Sequence, residues 1–203
     1  MQYRYNDNIA AMTGKVIELP TFSHKLYDDE FFKLKIAVRR LSGAMDEIPV
    51  MIAAGNIPSG GVSLDDIISV SGQLRSYNKP VEGVNRLIIT VFARSMLVCG
   101  EDADCENEVS LVGHICKPVI YRKTPLMREI CDILLAVNRA YGKSDYLPCI
   151  AWGKNARFAQ ELSVGDTVEI YGRLQSRNYV KLTEDGSMER TAYEVSTTTI
   201  TQL

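Results

Sequence analysis

The chain contains itself nearly twice, and this constrains its fold more than any other feature. Asn8, Gly14, Arg40, Asp46 and Pro49 recur 99 residues later as Asn107, Gly113, Arg139, Asp145 and Pro148. Asp66, Gly72, Leu74, Ser76 and Asn78 return 100 residues later as Asp166, Gly172, Leu174, Ser176 and Asn178. Colinear identities over about 70 residues, drifting by a single position, mark a duplication. The period exceeds the roughly 20–50 residues of a solenoid unit and suits a whole small domain. A chain of 203 residues accommodates one or two domains at roughly 150 residues apiece. The repeat selects two, each long enough to bury a modest core.

Hydrophobic residues make up 46% and charged residues 24% of the chain, an ordinary balance for a globular protein. No apolar run approaches the ~18–20 residues of a membrane span, and Met1-Gln2-Tyr3-Arg4-Tyr5 is not an apolar signal core. A cytoplasmic location is therefore expected. The five cysteines (Cys99, Cys105, Cys116, Cys131 and Cys149) include no CxxC pair, which reads as reduced thiols and not as a disulfide framework or zinc site. A net charge of −2 excludes a histone-like polycation but allows a groove with locally positive walls.

The acidic, aperiodic stretch from Cys99 to Asn107 reads as a linker, giving domains at 1–98 and 107–203 with 99–106 between them. In the second copy, strands are expected at Val109–Ile115, Ile133–Val137, Asp145–Trp152, Thr167–Arg177 and Ala192–Thr201, where alternation and β-branched residues coincide. Between the third and fourth, Asn155–Leu162 carries apolar residues at helical spacing and stops near Gly165-Asp166. Three strands, a helix and two strands form the pattern of a five-stranded Greek-key barrel of the OB type. The first copy repeats it with Ala10–Ile17, Phe31–Arg40, Glu47–Ala54, Ile67–Ser76 and Arg86–Ala93. Its Gly55–Val62 connection is too rich in Gly and Pro for a helix, so a loop or single turn is expected there. The fold class is all-β: two tandem OB barrels, the C-terminal one with a short helix.

Strand parity marks a candidate surface. Tyr146 and Trp152 lie six apart and share a face of strand three. On strand four, Tyr171, Arg173, Gln175, Arg177 and Tyr179 form the outer face, while Val168, Ile170, Gly172 and Leu174 face the barrel interior. Tyr141 lies near Arg139 and Lys143. Aromatic rings interleaved with cations suit single-stranded nucleic acid, because unpaired bases stack while the cations track phosphates. Packed aromatics among ordinary surface arginines are the competing explanation.

Leu135–Tyr141, Asp145–Lys154, Gly165-Asp166 and Gly172–Tyr179 resemble the bacterial single-stranded DNA-binding protein family, and Asn107–Leu203 is similar to its OB domain almost end to end. The resemblance places the family's base-stacking positions on Tyr141, Tyr146, Trp152 and Tyr179. With Arg139, Lys143, Lys154, Arg173 and Arg177 as phosphate contacts, it implies sequence-nonspecific binding of single-stranded DNA in replication, recombination or repair. It also implies a bacterial, nucleoid-associated protein and, from the family's four-domain assemblies, a homodimer of this two-domain chain. RNA stays open as an alternative ligand, since a stacking platform reads no 2′-hydroxyl unless one is contacted.

The first copy departs from the family. Carrying the offset back places Ser42, Glu47, Ala53 and Lys79 at the four stacking positions, so the platform is absent and Glu47 repels phosphate. Tyr77, Arg39, Arg40 and Arg75 remain nearby, and this copy is expected mainly to support assembly. The last residues, Thr199-Ile-Thr-Gln-Leu203, carry no acid, so recruitment of replication proteins through an acidic tail is not expected.

No enzyme, cofactor or metal site is expected. His24 and His114 occupy non-equivalent positions outside any HxH or HxxxH cluster, and Gly55–Gly61 lacks the GKS/GKT ending of a phosphate loop. Asp65-Asp66 and Asp28-Asp-Glu30 read as solvated loops. The alternative function is an OB-fold adaptor of the primosome type that binds nucleic acid weakly.

Overall fold

The computed structural model describes residues 7–81, 84–183 and 186–203, with the side chains of 81, 84, 141, 181–183 and 186 outside that description. Alternation builds its strands. Along β3 (Met45–Ala53) the residues Asp46, Ile48, Val50 and Ile52 turn inward, and along β6 (Asn107–Ile115) Val109, Leu111, Gly113 and Ile115 do so. With β1 (Asn8–Leu26), β2 (Asp29–Arg39), β4 (Ile67–Val81) and β5 (Val84–Cys99), β3 forms a closed ring. β1 pairs antiparallel with β2 and β4, β2 with β3, and β4 with β5, while β3 closes onto β5 in parallel.

The second copy closes the same way. β6 pairs with β8 (Glu129–Arg139) and β10 (Thr167–Thr183), β8 with β9 (Lys143–Trp152), and β10 with β11 (Gly186–Gln202); β9 meets β11 in parallel. Both halves are OB barrels, whose closure removes exposed sheet edges. Their interiors hold fully buried Ile36, Ile48, Ile68 and Leu74 in one and Leu111, Leu135, Leu147, Ile170 and Leu174 in the other. Each such side chain contributes about 1.5–3 kcal/mol by leaving water.

The repeated landmarks have matching structural duties. The Asn8 amide donates to the Leu74 carbonyl at 2.8 Å and accepts from the Leu74 N–H at 2.9 Å; Asn107 holds Leu174 at the same two distances. Gly72 and Gly172 sit at bulges in equivalent strands, where a Cβ would run into the Phe92 or Ser196 carbonyl.

β1 also pairs with β6, from Asn8 opposite Leu111 to Met12 opposite Asn107, with Ala10 facing Val109 at the centre. Ala10 and Val109 are equivalent positions of the repeat, so a quasi-two-fold axis passes between them. The barrels thereby share one 11-stranded sheet.

The expected helix forms as α1 (Lys154–Gln160), and the corresponding connection of the first barrel is a single 3-10 turn, Ala54–Asn56. Strands β1, β4, β10 and β11 run past their expected ends in hairpin extensions, and β5 continues to Cys99 alongside the Ile67–Ser71 stretch of β4. Those extensions are mostly exposed, so no inward-facing alternation announces them. A short strand, β7 (Ile120–Lys123), pairs with β8 and has no counterpart among the expected elements. Among the described residues, no helix is long and apolar enough to cross a membrane.

Candidate nucleic-acid interface

Inward-facing Asp145, Leu147, Cys149 and Ala151 fix the phase of β9, so Tyr146 and Trp152 face outward as their spacing requires. Both rings are available, at 48% and 36% exposure, and Tyr179 on β10 is 39% exposed. Trp152 lines an open groove of about 920 Å³ on the second barrel. The same groove gathers Arg173 and Arg177 from β10, and Lys117, Arg122 and Arg128 from the arm that contains β7. Pro148, Ile150 and Ile130 give it an apolar component, while Asp132 and Glu194 are its acids. Arg122 is held against Asp132 at 2.8 Å.

The nine candidate residues separate into groups, and Tyr146 stands apart from the groove, beside Ser76 of the first barrel. Trp152, Arg173 and Arg177 meet in the groove. Tyr179 continues beyond it along β10, with the Arg177 guanidinium 5.8 Å from its ring centre. Lys143 and Lys154 are exposed at the starts of β9 and α1. Arg139 lies 3.5 Å from the buried carboxylate of Asp145, a structural partner that compresses any phosphate role to its outer edge. Tyr141 lies in the 3-10 turn Ala140–Gly142; its side chain falls outside the described residues.

Two members of the parity strip behave differently from expectation. Gln175 is buried at 8% exposure and donates to Glu194 at 2.8 Å, so it braces β10 against β11. Tyr171 precedes the bulge at Gly172 and donates its hydroxyl to Glu169; it does not line the groove. The bulge re-aims the strand, which simple alternation over-extends.

Sequence reasoning missed the arm. Residues 117–128 hold Lys117, Arg122, Lys123 and Arg128 without one acid, whereas the matching arm of the first barrel carries Glu18, Asp28, Asp29 and Glu30. That charge contrast between copies was the available signal.

Two crossed seams hold the barrels together. Asp145 accepts from the Ser76 N–H at 2.8 Å and from Arg75 at 2.9 Å, while the Tyr146 N–H donates to Ser76 Oγ at 2.7 Å. The axis repeats this: Asp46 accepts from the Ser176 N–H at 2.7 Å, and the Glu47 N–H donates to Ser176 Oγ at 3.3 Å. Arg40 binds Asp46 and reaches the Ser176 carbonyl at 2.9 Å, which places it at the groove edge. Near this second seam, burial pushes the Tyr193 phenol up, Lys35 drawing it back; the hydrogen bond that the Lys35 ammonium donates to Glu18 raises its own pKa.

Residues 106–203 match the family model described as Single-strand binding protein family. That match covers the second barrel, just under half of the chain. A Single-stranded DNA-binding protein of Bacillus cereus is 38% identical over 80 residues, covering 36% of this chain and 47% of the relative. Single-stranded DNA-binding protein 1 of Streptococcus pyogenes is 34% identical over 80 residues, covering 36% and 62%. The match thus spans about half the length of the Bacillus relative. The wild-type single-stranded DNA binding protein of Thermus aquaticus superposes with a TM-score of 0.74 over 97% of this chain and 92% of its own, at 20% identity, and shares the fold. The family match falls on the barrel that carries the groove.

Proposed function

We propose that this protein binds single-stranded DNA without sequence preference through its C-terminal barrel. The observation that carries the proposal is the groove in which an exposed Trp152 stands among Lys117, Arg128, Arg173 and Arg177. Bases stack on Trp152, Tyr146, Tyr179 and Tyr141, and phosphates meet those cations together with Arg122, Lys143, Lys154 and the outer edge of Arg139. Stacking contributes roughly 1–3 kcal/mol per base and is indifferent to base identity. In this reading the chain divides at 1–98 and 107–203 about the 99–106 connection, and acts in replication, recombination or repair.

Replacing Trp152 with Ala should weaken oligo(dT) binding by roughly five- to hundred-fold, measured by fluorescence anisotropy with an end-labelled oligonucleotide. Wild-type affinity in that variant, and in Tyr146→Ala, would favour the adaptor reading. The chain is further proposed to assemble as a homodimer with four barrels. Light scattering should return twice the 22.7 kDa chain mass; a monomer or a tetramer contradicts this assembly.

A further inference from the structure

We infer that a DNA strand held on the second barrel passes onto the first across one seam only, that of Ser76 and Asp145, where Tyr77 and Lys79 receive it. The inference rests on the stacking reading above and adds residues outside its platform. Tyr146 and Ser76 touch directly, through the 2.7 Å bond from the Tyr146 N–H to Ser76 Oγ. Tyr77 follows Ser76 on β4 and is 48% exposed, the same as Tyr146. Lys79 shares its strand face by alternation and is also exposed. Two half-exposed rings therefore flank the point where the barrels join, with a cation one step further along the same face.

The other seam has the opposite character. Glu47 stands where Tyr146 stands, and Arg177 where Tyr77 stands. The Glu47 carboxylate is 61% exposed, and Glu18, 60% exposed, shares Lys35 with it at 3.6 and 2.6 Å. Arg177 and Arg40 stand beside these groups, so the crossing is balanced in charge, but neither of its matched positions offers a ring on which a base could stack. The quasi-two-fold axis thus relates a crossing flanked by two rings to one with no ring at the matched positions, so a stacked strand leaves the second barrel in a single direction. The first barrel, lacking a platform of its own, extends the path instead of duplicating it.

The test uses the full chain with oligo(dT) of two lengths, about 8 and about 25 nucleotides, chosen because one OB barrel covers roughly 4–16 nucleotides. Tyr77→Ala should weaken binding of the long oligonucleotide by roughly five-fold or more and leave the short one unchanged. Lys79→Ala should flatten the salt dependence for the long one alone, through the loss of one phosphate contact. Tyr77→Phe, which keeps the ring, should bind both lengths as the wild type does. Wild-type affinity of Tyr77→Ala for both lengths overturns the crossing, and so does an equal loss for both. If Trp152→Ala also binds both lengths normally, the stacking reading itself has failed.

Discussion

At the scale of the residue, the buried carboxylates Asp46 and Asp145 do the most for the architecture. Neither exposes any surface, and each accepts a main-chain N–H from the opposite barrel. A carboxylate is kept inside only when hydrogen bonds and a cation compensate its lost hydration. Asp145 has the Ser76 N–H, Arg75 and Arg139; Asp46 has Arg40 and the Ser176 N–H. Asp145→Ala should cost about 3 kcal/mol of stability, the low end for breaking a buried ion pair, because its arginine partners keep some access to water. Asp46→Ala should cost a similar amount, and urea melts of the two variants measure both. A loss under about 1 kcal/mol would mean that the seams contribute contact but little stability.

At the scale of the element, legibility followed how locally each feature is determined. Tyr146 and Trp152 could be placed outward because every second residue of β9 is buried. The single turn after β3 was readable from Gly55, Pro58, Gly60 and Gly61. Residues 78–81 of β4 were not, since Asn78, Lys79 and Pro80 have weak strand preference and are held only by pairing with β5. β7 was hidden because four residues between Pro118 and Pro125 offer too short an alternation to register. Arg139 was assigned to phosphate because its charge is visible in the sequence, while its carboxylate partner is buried. The partners of Asp145 and Ser176 in the opposite copy lie 69 and 130 positions away, beyond any local pattern. The repeat had nevertheless flagged Asp46, Asp145, Ser76 and Ser176 without giving the reason. They recur because one chain carries both halves of a reciprocal contact.

At the scale of the whole molecule, the duplication makes a quasi-symmetric pair whose halves have diverged in charge and aromaticity. The shared sheet and crossed seams keep the scaffold two-fold, while the basic arm 117–128, Trp152 and Tyr146 belong to one side only. The proposed function draws on this departure from symmetry and centres on Trp152. As the chain's single tryptophan, it reports on the groove without a label. Titrating the intact protein with oligo(dT) at low salt should quench Trp152 fluorescence saturably, as a base stacks on the indole. Added salt should reverse the quenching as phosphate contacts weaken. Binding seen by anisotropy with no change in Trp152 emission, or no binding at low salt, would contradict the account.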